Sequence, residues 1–440
     1  MKDGYSKERT AYKWYVLGIL TAVYTLSILD QGVIGLLLPA IQQDLRLTDT
    51  QLGELTGLGF GIAFSVAGVP AAYWADRANR VAISSGALAL WGGSMVASWF
   101  AGNFFRLVLA RIGCAVGGAA CMPATYALIG DHFPQAKERS AALTLYTLAN
   151  PLALLVGLGI SGWLSTHLGW RLTLASLGLP GLLTSLLLAL TVREPRLSQA
   201  ASSPRSGVRA RGLISMLWRR PTTRHLTIAI TLLYTTGLGL VPWYPAFLIR
   251  SHATDPTQIG LWLGVIFGVG GSVGILVGGY VAVRVAAESE SHQLRLIALA
   301  VALSAPCMGL FLLLPSTFLA LCAFVPFTIL ACIYFGPTFS LLQRLVADDV
   351  RATTLALVML VSNLIGMGLG PQLVGSLSDL FAGAVGIESL RYAMLTVSTL
   401  ILWSAYHFWR AARSVCADLK SPVAPTRGAS RQGLVPFEPS

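Results

Sequence analysis

The sequence predicts an all-α membrane protein in which twelve transmembrane helices form two six-helix bundles, related by a pseudo-two-fold axis along the membrane normal. Three observations support this prediction: an apolar composition, twelve hydrophobic stretches and an internal repeat. Of the 440 residues, 55% are hydrophobic and only 11% are charged, and the mean hydropathy is +0.68. No water-soluble globule of this size has that balance, so lipid is the expected solvent for most of the chain.

The hydrophobic stretches have the length that a membrane requires. Crossing about 30 Å of hydrocarbon at 1.5 Å per residue takes roughly 20 apolar residues. Twelve stretches meet this condition, and we expect them at 14–38, 52–74, 81–101, 106–129, 140–163, 170–192, 225–248, 258–283, 294–314, 318–345, 353–375 and 391–410. The resulting domains are a cytoplasmic N-terminus (1–13), a first bundle (14–192), a cytoplasmic linker (193–224), a second bundle (225–410) and a disordered cytoplasmic tail (411–440). The tail is too poor in hydrophobic residues to form a core.

An internal repeat relates the two halves. Ten residues recur 207 positions later: Gln51, Gly53, Gly57, Phe60, Gly61, Ser65, Val66, Tyr73, Ala75 and Arg77 correspond to Gln258, Gly260, Gly264, Phe267, Gly268, Ser272, Val273, Tyr280, Ala282 and Arg284. A second set recurs 213 positions later: Asn150, Gly157 and Gly162 correspond to Asn363, Gly370 and Gly375. An insertion in a loop between the two sets of residues would explain why the offset changes from 207 to 213. Two related membrane halves are typical of secondary transporters, whose substrate sites lie between the repeats.

The net charge of +12 reports topology and does not indicate a nucleic-acid partner. If the N-terminus is cytoplasmic, 25 of the 31 Lys and Arg residues lie on that side, and the other side carries five: Arg46, Arg106, Arg171, Arg250 and Arg391. By the positive-inside rule, we expect a multi-pass protein of the inner (plasma) membrane with both termini in the cytoplasm. Anionic membrane lipids are the expected neighbours of the basic loops.

Other classes of protein find little support in the sequence. The six cysteines lie almost entirely inside the hydrophobic stretches without metal-type spacing, so neither a disulfide framework nor a metal site is expected. The first stretch lacks a small-residue cleavage site and is expected to stay in the protein. Without a P-loop or a cluster of catalytic residues, no cofactor is expected, and a membrane-embedded enzyme is a remote alternative.

The turn after the second stretch reads Gly68-Val-Pro-Ala-Ala-Tyr-Trp-Ala-Asp76-Arg77-Ala-Asn-Arg80. It resembles the signature loop of the major facilitator superfamily, a glycine followed by Asp-Arg and a further basic residue, and this implies the major facilitator fold. A carboxylate at a helix end can pair with a neighbouring arginine or accept from a helix N-terminus. We therefore expect a cytoplasmic gate formed by Asp76, Arg77, Arg80 and Arg139. Val283 replaces the aspartate in the second half, so the gate would be asymmetric; alternatively, these charges only set topology.

Further matches narrow the resemblance to the spinster-like branch of that superfamily. They cover about nine tenths of the chain and include Asp30 after Ile28-Leu29, Thr50-Gln-Leu-Gly53, Asn79, His167-Leu-Gly-Trp-Arg171, Pro245-Ala-Phe-Leu-Ile-Arg250-Ser-His252, Gly336-Pro337, Gln343-Arg344, Asn363-Leu-Ile-Gly-Met-Gly-Leu-Gly-Pro371 and Ser378-Asp379. The resemblance implies export or exchange of amphipathic substrates such as lysophospholipids or sphingoid phosphates.

Two departures from that branch concern charge. Relatives usually have Asp-Arg in helix one and Gly-Glu-Ala in helix four, where this chain has Asp30-Gln31 and Gly117-Gly118-Ala119. One cation and one carboxylate are therefore both absent. A lone charge at mid-membrane costs about 2.5–3.5 kcal/mol on insertion scales. If the two groups pair in relatives, their joint loss keeps the cavity balanced and is a compensated change.

Asp30 in helix one and Arg111 in helix four remain as the clearest ionisable residues at membrane depth. Charges in such positions face cavities and are often functional. We expect Asp30 to be the protonatable coupling group, and Arg111 to pair with it or to bind an anionic substrate head. The alternative is a structural salt bridge between the two helices.

Several polar residues complete the predicted substrate site. Unpaired amides are costly in lipid, so Gln31, Asn150 and Asn363 are expected to face the interior. Tyr126, Tyr146 and Tyr334 are expected to wall a cavity for an amphipathic ligand.

The predicted function is that of a monomeric secondary active transporter. It would move a small amphipathic or anionic organic substrate, such as a lysophospholipid-like molecule, by alternating access, with proton coupling through Asp30. The alternative is an uncoupled facilitator or exchanger of organic anions or drugs. The expected partners are the substrate, protons and membrane lipids.

Overall fold

The computed structural model describes residues 2–147, 149–194, 218–285, 289–346 and 351–420. All regular elements in these ranges are helices. Most of the predicted linker, residues 195–217, and the final residues 421–440 of the predicted tail lie outside the described part. Helical stretches long and apolar enough to cross a membrane are called spans below and are numbered in chain order.

The first half contains six spans. Span 1 is Lys2–Leu45, span 2 consists of Asp49–Thr56 and Leu58–Arg77, span 3 is Arg80–Ala97, and span 4 is Phe104–His132. Spans 5 and 6 comprise Ala136–Thr147 and the long helix Ala149–Thr191. That helix reverses at Gly169, where φ is +73°. Glycine adopts this conformation without the steric cost that a side chain would impose, so it permits the reversal.

The second half repeats this arrangement with more interruptions. Span 7 is Pro221–Leu240 and Trp243–His252, bent by 49°, and span 8 is Pro256–Val265 and Gly271–Val285 joined by a π-helix, Ile266–Gly270. Span 9 is Glu290–Leu313, and span 10 is Thr317–Cys332 and Phe335–Arg344. Span 11 is Arg351–Asn363, a π-helix Leu364–Leu369 and Gly370–Val385, and span 12 is Ser389–Ser398 and Leu400–Lys420. Short 3-10 turns, Ser98–Phe100 and Gly386–Glu388, precede spans 4 and 12.

The number of crossings follows from helix length. Nine helical stretches in the described part are long and apolar enough to cross a membrane, and the bent span 7 is a tenth. Two of the nine, Glu138–Thr191 and Thr353–Lys420, contain 54 and 68 residues. At 1.5 Å per residue the shorter one extends for about 80 Å, more than twice the thickness of the hydrocarbon core. Each accounts for two spans, which brings the described part to the twelve that were predicted.

The last helix differs from the predicted boundary. Residues 411–420, which the sequence led us to place in a disordered tail, continue span 12 to Lys420. Ala411, Ala412 and Val415 are buried, and the Asp418 carboxylate accepts a hydrogen bond of 2.8 Å from the Thr222 backbone N–H at the start of span 7. The polar composition of the tail as a whole concealed this short buried face.

The repeated glycines of span 2 lie where the two bundles meet. Gly53, Gly57 and Gly61 face span 11, and a Cβ placed on Gly57 would lie 2.5 Å from the carbonyl oxygen of Gly368. A side chain at this position would force the backbones apart. Small residues at helix contacts in membranes permit such close approach.

The corresponding glycines of span 8 make the equivalent contact with span 5. Gly260, Gly264 and Gly268 face that span, and a Cβ on Gly264 would lie 2.8 Å from the carbonyl oxygen of Leu155. The repeat in the sequence is therefore a repeat of the contact surface, because each bundle presents the same glycine row to the other.

The contacts between the bundles extend to the face opposite the first and last described residues, Lys2 and Lys420, and this face is called the outer face below. There Gly162 lies against the backbone of Pro256, and Gly375 lies against the backbone of Asp49. The segments nearest the termini, Ala136–Thr147 and Gly271–Val285, pack mainly within their own bundles. The bundles are thus joined most closely at the outer face.

Candidate functional site

Asp30 of span 1 and Arg111 of span 4 form an ion pair between Oδ1 and Nη1. Their side chains are only 1% and 2% exposed. Because burial removes both groups from water, each charge is balanced by the other. Asp30 Oδ2 and Arg111 Nε have no hydrogen-bond partner among the described residues. One acceptor and one donor therefore remain available for a proton, a water molecule or a polar group of a ligand.

Arg111 lies at the boundary between the bundles. Its guanidinium carbon is 4.6 Å from the ring centroid of Phe60 in span 2, which places the cation over an aromatic face. A narrow cleft surrounds the guanidinium and is lined by residues of both bundles: Ile34, Thr56, Phe60, Leu238, Val241, Pro242, Met367 and Pro371. The buried pair thus borders the interface between the two bundles.

A larger cavity of about 330 Å³ adjoins this cleft and is walled by the second bundle. Leu238 and Val241 belong to the walls of both spaces. The cavity wall contains six aromatic residues: Tyr234, Tyr244, Phe267, Phe327, Tyr334 and Phe335. An apolar pocket of this size with a few polar groups is typical of a small-molecule site. The first bundle therefore supplies charge, and the second supplies an apolar surface.

Most of the cavity wall is apolar, and the buried Tyr244 hydroxyl in it has no hydrogen-bond partner among the described residues. The hydroxyls of Ser304 and Thr328 donate to carbonyl oxygens of their own helices, at 2.7 Å in each case. Asn363 contributes an amide at the point where span 11 enters its π-helix. The lining is accordingly suited to a hydrocarbon or aromatic group more than to a sugar.

The predicted site residues fall into two groups. Tyr334 and Asn363 line the cavity. Tyr146 is buried in the first bundle, where its ring centroid lies 4.5 Å from that of Tyr24 and 5.1 Å from that of Tyr126, whereas Tyr126 itself is 38% exposed. Neither belongs to the wall of the cleft or of the cavity.

The amides of the first bundle have different outcomes. Asn150 lies beside Tyr24, in the tyrosine cluster of the first bundle. The side chain of Gln31 lies outside the described residues.

At Gly118, where the resemblance leads us to expect a glutamate, a Cβ would meet Phe64 at 3.7 Å and the Ser27 carbonyl oxygen at 3.9 Å. A side chain would find ordinary contacts there, but this chain has none.

The predicted gate residues lie on the side of the termini. Arg80 is buried and pairs with Asp131 of span 4, and its Nε donates to the Ala75 carbonyl oxygen at 3.1 Å. The Arg77 guanidinium lies 3.7 Å from the ring centroid of Tyr73, and Arg139 is exposed. The side chain of Asp76 lies outside the described residues, and the gate role stays a prediction.

Sequence reasoning missed two parts of this arrangement. Asp131, the partner of Arg80, was not named, although it lies at the end of span 4 nearest that arginine. Most of the cavity wall was also missed, since phenylalanine residues in a hydrophobic span carry no signal that separates a cavity from a packed core.

Two bundles of six spans that enclose a charged cleft and an apolar cavity define a membrane transporter. The sequence profile of the Major Facilitator Superfamily matches residues 20–371. The chain therefore belongs to the Major Facilitator Superfamily, and the predicted fold class is confirmed. Members of this family are transporters and not enzymes.

Individual relatives confirm the resemblance to the spinster-like branch. The chain is 30% identical to an MFS-type efflux pump of Mycolicibacterium smegmatis, over 92% of this chain and 94% of the relative. It is 27% identical to the sphingosine-1-phosphate transporter of Xenopus tropicalis, over 89% and 79%. A crystal structure of a bacterial homolog of the human lysosomal transporter Spinster, inward-facing and unoccupied, superposes with a TM-score of 0.81 at 26% identity and covers 94% of this chain and 99% of that one.

Proposed function

We propose that this protein is a secondary active transporter that moves an amphipathic organic anion across the inner membrane by alternating access, coupled to protons at Asp30. The observation that carries the proposal is the position of the buried Asp30–Arg111 pair, beside a cleft between the bundles that adjoins an apolar cavity of about 330 Å³. A ligand with an anionic head and an apolar body matches both spaces at once.

The anionic head would bind at Arg111. A guanidinium is well suited to carboxylate and phosphate groups because its N–H donors form a planar fork. Arg111 Nε has no partner among the described residues and is available to such a group. The apolar body would lie in the aromatic cavity of the second bundle. A lysophospholipid-like molecule has this shape, and the sphingosine-1-phosphate transporter of Xenopus tropicalis is a relative that acts on an amphipathic phosphate.

Proton coupling would follow from competition for Arg111. Protonation of Asp30 removes the negative charge that holds the guanidinium and frees Arg111 for the anionic head. Loss of the proton restores the ion pair and displaces the head. A proton that travels with a monovalent anion moves no net charge, so the pH gradient drives this transport and the membrane potential does not. At about 1.4 kcal/mol per tenfold, a gradient of about one pH unit sustains a roughly tenfold substrate gradient.

The orientation in the membrane follows from charge. Since most Lys and Arg residues lie on the side of the termini, that side would be cytoplasmic and the outer face would be external. Because the bundles meet most closely at the outer face, the structure would represent an inward-facing state. The similar crystal structure of the bacterial Spinster homolog, which is inward-facing, supports this assignment.

A second candidate function is uncoupled facilitation or exchange of organic anions or drugs. It is favoured by Gly118 and Gln31, which stand where relatives have a glutamate and an arginine, so fewer titratable groups border the cleft. The similarity to an MFS-type efflux pump of Mycolicibacterium smegmatis supports export as the direction of transport. Dependence of transport on a pH gradient separates the two candidates.

A ligand screen tests the proposed substrate class. Purified protein is heated in the presence of lysophospholipids, small organic anions or hydrophobic cations, in parallel with an Arg111→Ala variant. We expect lysophospholipids to raise the melting temperature of the unmodified protein and to have no effect on the variant. Stabilisation by cations alone, or equal stabilisation of both proteins by anions, would contradict the assignment of Arg111 as the head-group site.

A further inference from the structure

Ion pairs in the described part of the chain mostly stay within one bundle. Six of them do so: Lys13–Glu138, Arg80–Asp131, Asp30–Arg111, Arg171–Asp44, Arg344–Glu290 and Arg391–Glu388. Among the described ion pairs, only Arg250–Asp49 joins one bundle to the other. It lies at the outer face, between the end of span 7 and the start of span 2.

The geometry at this pair is that of a specific, two-pronged contact. Arg250 Nη1 and Nη2 donate to the two carboxylate oxygens of Asp49, each at 2.8 Å, and Nη2 also donates to Gln42 Oε1 at 2.8 Å. Ser378 Oγ of span 11 donates to Asp49 Oδ2 at 2.6 Å. The side chains of Asp49 and Arg250 are only 7% and 19% exposed. Paired donors on a carboxylate and partial burial make this stronger than an ordinary surface pair.

A second carboxylate crosses between the bundles beside the first. Asp379 of span 11 accepts hydrogen bonds from the backbone N–H groups of Asp49 at 3.1 Å and Thr50 at 2.7 Å. These are the first two N–H groups of the helix Asp49–Thr56, and the Thr48 hydroxyl accepts from the third, Gln51. A helix N-terminus leaves such groups unpaired and attracts negative charge. The opposite bundle therefore caps the outer end of span 2.

The internal repeat shows that this charged contact is one-sided. At an offset of 207, Asp49 and Thr50 correspond to Pro256 and Thr257, and at an offset of 213, Asp379 corresponds to Thr166. Thr166 and Thr257 do meet, with their hydroxyl oxygens 3.3 Å apart. The same meeting point thus exists between spans 5 and 8, but there it consists of two exposed hydroxyl groups and no charge.

We propose that Asp49, Arg250 and Asp379 form an ionic latch that holds the outer face closed, and that the repeat-related contact between Thr166 and Thr257 does not share this role. Opening the outer face separates span 2 from spans 7 and 11, so every latch interaction must break in each transport cycle. Water then solvates all three charged groups, and this hydration offsets the free energy lost when the latch interactions break. The latch sets the balance between the closed and open forms of the outer face.

Distance measurements between spin labels test the latch. Gln43 and Ile387 are exposed at the outer ends of opposite bundles and can each be replaced by a labelled cysteine. Cys307, Cys322, Cys332 and Cys416, which are not fully buried, are first replaced by alanine. The full-length protein is then compared with Asp379→Asn and Arg250→Ala variants. Thr166→Ala is the matched control because it alters the repeat-related contact, and Asp44→Asn breaks an ion pair of the same face within one bundle.

In the open form the two labels are farther apart than in the closed form. We expect Arg250→Ala to raise the ratio of molecules with the long label-to-label distance to molecules with the short one by about tenfold, which corresponds to about 1.4 kcal/mol. Asp379→Asn retains an acceptor oxygen but loses the charge, so a smaller rise of about threefold is expected. Thr166→Ala and Asp44→Asn should leave the ratio unchanged. The latch is overturned if Asp379→Asn leaves the distances unaltered, or if Thr166→Ala shifts them as much. Should Arg250→Ala fail to fold, Asp379→Asn decides alone.

Discussion

Asp30 and Arg111 lie 81 residues apart in the chain, yet they form an ion pair in which neither side chain is more than 2% exposed. Neither charge has bulk water to replace its partner. Breaking a buried pair by removing one member is therefore far more costly than removing both. This asymmetry allows the role of each residue in stability to be separated from its role in transport.

Replacing Asp30 with asparagine should abolish pH-driven transport. The amide cannot exchange a proton, and it leaves the Arg111 charge uncompensated, which should lower the free energy of unfolding by about 3 kcal/mol. Substrate counterflow without a pH gradient should persist if the variant folds. Uptake into proteoliposomes with and without an imposed gradient measures both effects. The control is Asp44→Asn, whose pair with Arg171 is partly exposed and worth about 0–1 kcal/mol. Accumulation by Asp30→Asn along an imposed pH gradient would rule out the coupling role.

Removing both charges should restore stability without restoring function. In an Asp30→Asn, Arg111→Met double variant no charge is left buried, so the free energy of unfolding should return to within about 1 kcal/mol of the unmodified value. Anionic ligands should no longer raise the melting temperature. Thermal unfolding of the two single variants and the double variant completes the cycle. If the two single losses simply add, the residues do not interact as the structure shows.

Filling the apolar cavity should block ligands with a long apolar body. Gly237 lines the cavity, and a Cβ placed there meets nothing within 4 Å, so the backbone tolerates a side chain and Gly237→Leu fills part of the cavity. Transport of a lysophospholipid should fall by about tenfold or more, equivalent to about 1.4 kcal/mol, while the melting temperature is maintained. Gly309→Leu is the matched control, because it has the same free space outside the cavity wall. Equal transport by both variants would place the apolar body elsewhere.

A methyl group at Gly57 should disturb the joint between the bundles. It would lie 2.5 Å from the Gly368 carbonyl oxygen, and overpacking of this kind costs about 1–3 kcal/mol. Gly57→Ala should therefore lower the melting temperature and slow substrate counterflow, and Gly264→Ala should act similarly from the other side. Gly68→Ala, where the added carbon meets nothing within 4 Å, is the control. An unaltered Gly57→Ala protein would show that the bundles do not need this close approach.

The sequence anticipated the architecture because its signals are local. A span is a continuous apolar segment, and a repeat is visible as matching residues at one offset. The same locality explains the error at residues 411–420, where three small buried side chains at helical spacing were outweighed by a polar, proline-rich neighbourhood.

The candidate site was predictable only in part. Asp30 and Arg111 stand out as charges inside apolar spans, and their pairing was one of the alternatives that the sequence left open. Tyr126 and Tyr146 gave the same signal as Tyr334, but Tyr146 packs against Tyr24, Tyr126 packs against Tyr146, and only Tyr334 lines the cavity. Which face of a span a tyrosine occupies depends on how that span rotates against its neighbours.

By itself, the sequence determined that this chain has two related sets of membrane helices, a strong asymmetry of basic loops and two charges at membrane depth. These properties depend on residue type and spacing alone. The tertiary structure decided that the repeated glycines face the opposite bundle, that the apolar cavity belongs to the second bundle, and that Asp49, Arg250 and Asp379 meet at the outer face. Asp49 lies 201 positions from Arg250 and 330 positions from Asp379, and only the packing of the two bundles brings its carboxylate and its backbone N–H within hydrogen-bonding distance of them.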